Sequence, residues 1–323
     1  MDGIKMLKTP RFKKPVFLAA WPGMGEVAFR ALSYLVEKLK AEEFAELQAE
    51  EFFYLTGSII QDGILSLPNL PQGKFYHWKN KAGKNDLIIF LSDAQPDLSR
   101  AEAYCRKIIQ AAKSFKAKIC VNLASMPQPI DHLQHPGLWF CATSALVSQE
   151  LKKHNLASLS MGQVSGMNGL FLGMAKREGL DGFCVLAEIP LYTVQIENPK
   201  ASYAVLNAIN KILDLHVDLG GLIEQAHEME IEINRLLDYL KLGSAAAAGP
   251  IQEEEVEKIK KSLAQLTKLP LSVKEKIEKL FEQTSSDITK AGPLKDELDK
   301  WNVYKDYEDR FLDLFKKTKD KNN

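Results

Sequence analysis

The ten residues VFLAAWPGMG, Val16–Gly25, decide the fold. Six apolar residues in a row, followed at once by Pro22, Gly23 and Gly25, read as a strand covered on both faces that runs into a tight turn. The residues that follow, Glu26–Lys40, place Val27, Ala31, Tyr34, Leu35 and Leu39 at helical spacing, which predicts a helix with one apolar face. A buried strand feeding an amphipathic helix is the repeating unit of an α/β domain.

The pattern recurs outward from this stretch. DLIIFLSD (86–93), AKICVNLAS (117–125), LWFCATS (138–144) and GFCVLAEIP (182–190) are short apolar runs and predict strands. FFYLTGSII (52–60) predicts another, and KFYHWKN (74–80) alternates as an edge strand or a hairpin arm does. Residues 63–73, rich in proline and glycine, predict a loop, and 81–84 a turn. Helices are expected over 101–115, with Asp97 or Ser99 as its cap, and over 146–154, 170–178, 201–213 and 222–240. The glycine-rich stretch 161–169 is expected as a turn. Strands alternating with helices imply a three-layer α/β/α sandwich, phosphorylase- or hydrolase-like, with a mostly parallel sheet.

Beyond Leu242 the composition changes. GSAAAAGP (243–250) reads as a linker, and the remaining residues are highly charged with apolar positions at helical spacing over 253–267, 272–283, 294–301 and 307–315. Ser272 and Glu275 have the spacing of a capping box. The expected organisation is an α/β domain over 1–242, a linker over 243–250 and a charged helical extension over 251–323. The extension either packs on its own chain or serves as a partner-binding arm.

Charge and cysteine content exclude several classes. The 323 residues carry 42 Lys+Arg and 42 Asp+Glu. A neutral chain has no long-range field to gather nucleic acid or an anionic membrane, so neither is an expected partner. The basic start MDGIKMLKTPRFKKP precedes only six apolar residues, too few for a signal peptide, and no stretch reaches about 18 apolar residues, so a cytoplasmic protein is expected. Cys105, Cys120, Cys141 and Cys184 include no CxxC pair and read as buried free thiols in a reducing compartment. His132 and His135 lack a supporting carboxylate or thiolate cluster beyond Asp131, so no metal and no cofactor are expected.

Parallel sheets bind ligands or partners beyond the carboxyl ends of their strands. The loops Trp21–Gly25, Ser92–Ser99 and Ala124–Asp131 leave strand ends there, and Ser160–Gly169 precedes a helix. They supply the candidate ligand- or partner-binding residues Trp21, Gly23, Gly25, Asp93, Gln95, Ser165 and Asn168. WPGMGE superficially resembles a phosphate loop, but it lacks both GxxxxGK[ST] and GxGxxG, and Glu26 would repel a phosphate. Ser165 is not in GxSxG, and no Ser/His/Asp set assembles, so no catalytic residue is assigned. Glu188 ends an apolar strand and needs a partner there, which makes it either a site residue or a buried structural acid.

Five blocks in order, AWPGMGEVAFRALSYLVEKL, GSIIQDG, LIIFLSDAQP, GQVSGMNGLFLGMAKREGLDGFCVLAEIPLY and NPKASYAVLNAINKIL, together resemble the proteasome assembly chaperone 2 family in its archaeal and bacterial form. The resemblance covers about Lys14 to Ile233. It implies an α/β/α sandwich like that of purine nucleoside phosphorylases, often as a homo-oligomer, with no established catalytic residues. Eukaryotic members of that family are heterodimeric chaperones of proteasome α-ring assembly. They and some archaeal members dock through a C-terminal hydrophobic–Tyr–any tripeptide, whereas this chain ends Lys321-Asn322-Asn323, so docking by that route is not expected. The implied function is a non-catalytic protein-binding, assembly-chaperone-like role toward a protein partner or itself. The alternative is a binder of a nucleoside- or phosphate-like small ligand, or an enzyme of phosphorylase-like architecture.

Overall fold

The computed structural model describes residues 3–319 apart from 49, 56, 62, 82–84, 155, 244–270 and 301–302. Strands are β1 (Ile4–Met6), β2 (Val16–Ala20), β3 (Glu42–Leu47), β4 (Ile59–Gln61), β5 (Ile64–Ser66), β6 (Gly73–Trp78), β7 (Leu87–Ser92), β8 (Ile119–Gln128), β9 (Leu138–Ala142), β10 (Ala157–Ser158) and β11 (Asp181–Pro190). Helices are α1 (Val27–Leu39), α2 (Ala101–Ser114), α3 (Ala145–Lys152), α4 (Gly166–Arg177), α5 (Pro199–Ile212), α6 (Gly220–Gly243), α7 (Leu271–Ser286), α8 (Ala291–Lys300) and α9 (Tyr304–Lys319).

Nine strands form one sheet in the order β1-β3-β6-β7-β2-β8-β11-β9-β10. β2 lies inside it, parallel to both neighbours, with Val16 opposite Leu87 of β7 and Ile119 of β8. That double pairing is why Val16–Ala20 is apolar without alternation: both faces are covered. Val16, Leu18 and Ala20 join the core beneath α1 and α5. Phe17 and Trp21 face the other way and meet Phe171 of α4 with ring centroids 5.9 and 5.5 Å apart. Helices α1, α3 and α5 thus cover one face and α2 and α4 the other, giving the three-layer α/β/α sandwich.

The sheet is mixed rather than mostly parallel. Outside the parallel trio β7-β2-β8, β6 pairs β7, β3 pairs β6, β1 pairs β3 and β9 pairs β11, all antiparallel. β3 reads EEFAEL and was not expected as a strand. It buries Phe44, Ala45 and Leu47 and leaves its glutamates partly or fully exposed.

Four local expectations are corrected. The apolar run 52–60 is not one strand. Phe52 and Phe53 are buried individually against Tyr104, at 5.0 and 5.8 Å, and only Ile59–Gln61 is a strand, paired with β5 rather than with the main sheet. The expected loop 63–73 therefore holds β5 and the first residue of β6. The glycine-rich turn 161–169 ends early, because α4 starts at Gly166. Nor does Asp97 or Ser99 cap α2. The Asp97 carboxylate accepts from the Ser99 backbone N–H at 2.8 Å, closing a turn of its own, and Arg100 occupies the cap position.

The chain divides into two compact units, Met1–Pro127 with Asp131–Val256, and Gln128–Ile130 with Glu257–Asn323. In the second, Ile277, Phe281, Leu294, Leu298 and Phe311 form a small core among α7, α8 and α9. Arg310 lies 4.2 Å over the Phe281 ring and donates to both oxygens of Glu278, at 2.7 and 2.6 Å. Residues 244–250 of the expected linker, the helix expected over 253–267, the turn residues 82–84 and the side chains of Ser272 and Glu275 lie outside the described residues. No helix among the described residues is long and apolar enough to cross a membrane.

Candidate functional site

Because β7, β2 and β8 are parallel, their carboxyl ends share one edge of the sheet. β6 starts at that edge, with Gly73 opposite Ser92, and β3 ends there, with Leu47 opposite Gly73. The edge therefore carries the Trp21–Gly25 turn, the Ser92–Ser99 loop and the whole excursion 48–72 between β3 and β6.

Several of the expected residues come together at the end of β2, but they bind one another. The Asn168 side-chain amide, buried at the start of α4, accepts from the Trp21 backbone N–H and donates to the Trp21 carbonyl, both at 3.2 Å. Gln95 donates to the Pro22 carbonyl at 2.7 Å and accepts from the Met167 N–H at 3.3 Å. The Ser125 hydroxyl donates to the Met24 carbonyl at 2.6 Å. Gly25 is left-handed at φ 66° and Glu26 at φ 51°. The Gly25 N–H donates to Val194 and the Glu26 N–H to Gly23, each at 2.9 Å. These two amides are consumed by the protein, so WPGMGE is a stapled turn and not an open anion cradle. Burial, with the Glu197 charge added, raises the Glu26 carboxyl above its ordinary value, against a backbone hydrogen bond from Gly23. Glu197 itself is ion-paired with Arg30.

The other candidates sit differently. Ser165 is exposed at the head of α4, and its hydroxyl makes no capping hydrogen bond. Asp93 accepts from the Gln72 N–H at 2.7 Å, while its own N–H donates back to the Gln72 carbonyl at 3.2 Å. It lines a cleft of about 380 Å³ with Phe29, Ser33, Lys74 and Tyr76. Glu188 is 3% exposed and is committed to β9. Its oxygens accept from the Gly137 N–H at 3.2 Å and from the Trp139 indole at 3.0 Å.

Sequence reasoning missed two features. His132 is buried, with Nδ1 2.9 Å from the Tyr192 hydroxyl and Nε2 3.0 Å from Asn234 Oδ1, and Lys200 donates to its carbonyl at 2.7 Å. These residues are remote in sequence, so no spacing announces them. Among the described residues, no three His, Cys, Asp or Glu side chains are placed to hold a metal ion. The second feature is the β4–β5 hairpin. Ile60 and Leu65 pair on one face, and both are exposed, by 71% and 67%. Ile59 and Ile64 are exposed on the other face, and Tyr54, Leu55 and Leu67 flank them. The apolar character of GSIIQDG is visible in the sequence; only the structure shows that Ile59 and Ile60 are uncovered. Not every cysteine is buried either: Cys105, Cys120 and Cys184 are, whereas Cys141 is half-buried.

The sequence model of the PAC2 family matches residues 17–237. The chain belongs to the PAC2 family. The matched PAC2 span runs from β2 into α6 and holds the stapled turn, the hairpin and the head of α4. The uncharacterized protein MJ0106 of Methanocaldococcus jannaschii is 24% identical over 248 residues, 76% of this chain and 95% of that protein. PbaB of Pyrococcus furiosus, an archaeal proteasome activator, is 26% identical with a TM-score of 0.63, over 72% of this chain and 97% of its own. PbaA of the same organism, an archaeal homolog of proteasome-assembly chaperone, is similar in fold at 22% identity and a TM-score of 0.56, over 79% of this chain and 99% of its own.

Proposed function

We propose that this chain is a non-catalytic, assembly-chaperone-like protein that takes a protein partner at the carboxyl edge of its sheet. The uncovered β4–β5 hairpin carries this reading. A two-stranded hairpin is marginal in water by itself and needs a covering surface. This one presents isoleucine or leucine on both faces, and such patches mark interaction sites. It is tied to the site loops, since the Asp97 backbone N–H donates to the Phe52 carbonyl at 3.1 Å and the Gln72 N–H donates to the Asp93 carboxylate at 2.7 Å. The polar candidates at the edge hold the turn in shape, a positioning role rather than a chemical one. The PAC2 relatives described as a proteasome activator and an assembly-chaperone homolog make proteasome subunits, or a second copy of the chain, the expected partners, in the cytoplasm.

The test is sedimentation velocity on the full chain, alone and mixed with purified proteasome α-subunits from the same organism. A complex, or a homo-oligomer, that is lost on Ile60→Asp with Ile64→Asp supports the proposal, provided the melting temperature is unchanged. A monomer with no complex, or a complex indifferent to both substitutions, overturns it. The 380 Å³ cleft beside Asp93 favours a second reading, binding of a small ligand. A thermal-shift screen of nucleosides, nucleotides and phosphate, with Asp93→Asn as control, tests that.

A further inference from the structure

Cys141 of β9 and Cys184 of β11 stand directly opposite each other. The phase of the ladder follows from its bonds: the Thr143 N–H donates to Gly182 at 2.9 Å and the Glu188 N–H to Gly137 at 3.0 Å. Every second pair between them is hydrogen-bonded, and Cys141–Cys184 is one of these. In such a pair the α-carbons stand about 5.5 Å apart, inside the range a disulfide spans. The Cys184 thiol donates to the Val185 carbonyl at 3.8 Å. Cys184 is fully buried and Cys141 is half-buried. Both line a cavity of about 220 Å³, walled by Val164, Gly169 and Leu172 and edged by Lys176. A water molecule takes about 30 Å³ of liquid, so a peroxide has ample room.

We propose that Cys141 and Cys184 form a peroxide-reactive dithiol, with Cys141 the attacking thiolate and Cys184 the resolving thiol. The Cys141 sulfur attacks one peroxide oxygen, the O–O bond breaks, and the second oxygen leaves as water once protonated, giving a sulfenic acid. The Cys184 sulfur then attacks the Cys141 sulfur, the S–O bond breaks, and a second water leaves. Two thiols lose two electrons and two protons in total, and one peroxide becomes two waters.

The environment separates this pair from the other cysteines. The neighbouring Cys184 thiol holds the Cys141 thiol below its ordinary value against the effect of burial. Burial pushes Cys105 and Cys120 up to about 12, which keeps them as inert thiols. Two buried fillers would explain neither the direct register nor the shared cavity. The cross-link would also form beside Val164 and Gly169, the turn that holds Asn168 against Trp21.

The experiment treats the reduced full chain with hydrogen peroxide, quenches with catalase, blocks free thiols with an alkylating reagent and maps peptides by mass spectrometry. The expected product is a Cys141–Cys184 linked peptide that dithiothreitol dissolves, with Cys105 and Cys120 still alkylated. Cys141 should be consumed at least about tenfold faster than Cys105, following its thiolate fraction. In Cys184→Ser, Cys141 should be trapped as a sulfenic acid that dimedone labels. If that variant does not fold, the wild-type peptide map decides. Consumption of Cys141 no faster than Cys105, or oxidation of Cys141 that leaves Cys184 free, overturns the proposal.

Discussion

The side-chain amide of Asn168 mirrors the peptide group of Trp21, giving one hydrogen bond and taking one across 3.2 Å each. Strand β2 ends at Ala20, so Trp21 has left the ladder, and Asn168 supplies the partners the sheet no longer offers. Asn168→Ala would strand both backbone groups in a buried place. The expected loss is about 1–3 kcal/mol in urea unfolding, with no gain in any binding activity. A loss below about 0.5 kcal/mol, the range of ordinary surface changes, would show that the pair is dispensable.

Two glycines in α4 should respond in opposite directions. A methyl group on Gly169 would sit 1.8 Å from the Val164 carbonyl oxygen, which is backbone and cannot swing away. Gly173, one turn on, meets nothing within 4 Å. Gly169→Ala should cost about 1–3 kcal/mol, and Gly173→Ala should add about 0.5–1 kcal/mol through helix propensity. Thermal melts of the two single variants check the sign of each.

Glu26 makes a statement about pH. Burial and the Glu197 charge raise its pKa in the folded state, so the folded chain binds more protons than the unfolded one at mildly acidic pH. Its ionisation therefore costs stability, a penalty absent below the unfolded value and complete above the folded one. Glu26→Gln removes the penalty. The urea midpoint should rise at pH 7 and stay level at pH 3.5; an equal rise at both would exclude ionisation as the cause.

Glu188→Gln tests the buried acid. One oxygen can still accept from Trp139, but the new NH₂ group faces the Gly137 N–H, donor against donor. Gly137 has no slack, because a β-carbon there would lie 2.6 Å from Glu188 Oε2. The expected cost is about 1–3 kcal/mol, with a change in Trp139 fluorescence, and with any partner complex intact at low temperature.

The parallel centre of the sheet is legible in sequence because strands buried on both faces must be apolar throughout, as LIIFLS and VFLAA are. β3 hides because Glu42, Glu43 and Glu46 make half of its six residues charged on both faces, and glutamate is depleted in strands. The run 52–60 misleads for the reverse reason: its apolar residues serve two purposes, Phe52 and Phe53 as plugs beside Tyr104, and Ile59 and Ile60 as exposed surface. Composition does not separate a covered face from an uncovered one. Trp21, Gln95 and Asn168 are recoverable as an assembly because turn residues at strand ends converge in a parallel sheet. That Asn168 would spend its amide on the backbone of Trp21 is a matter of position, which no motif encodes.

The Asn168–Trp21 pair joins residues 147 positions apart. Its formation must wait until β7 and β8 have flanked β2 and the chain has travelled on to α4, because only then does a surface exist to receive the helix. Contacts of such long range slow folding, since loop closure precedes any compensating contact. The head of α4 should thus be among the last parts of the main unit to consolidate during refolding. The Trp21 amide, sealed by that late arrival, becomes a single-site clock for the end of the process, readable by pulsed hydrogen exchange.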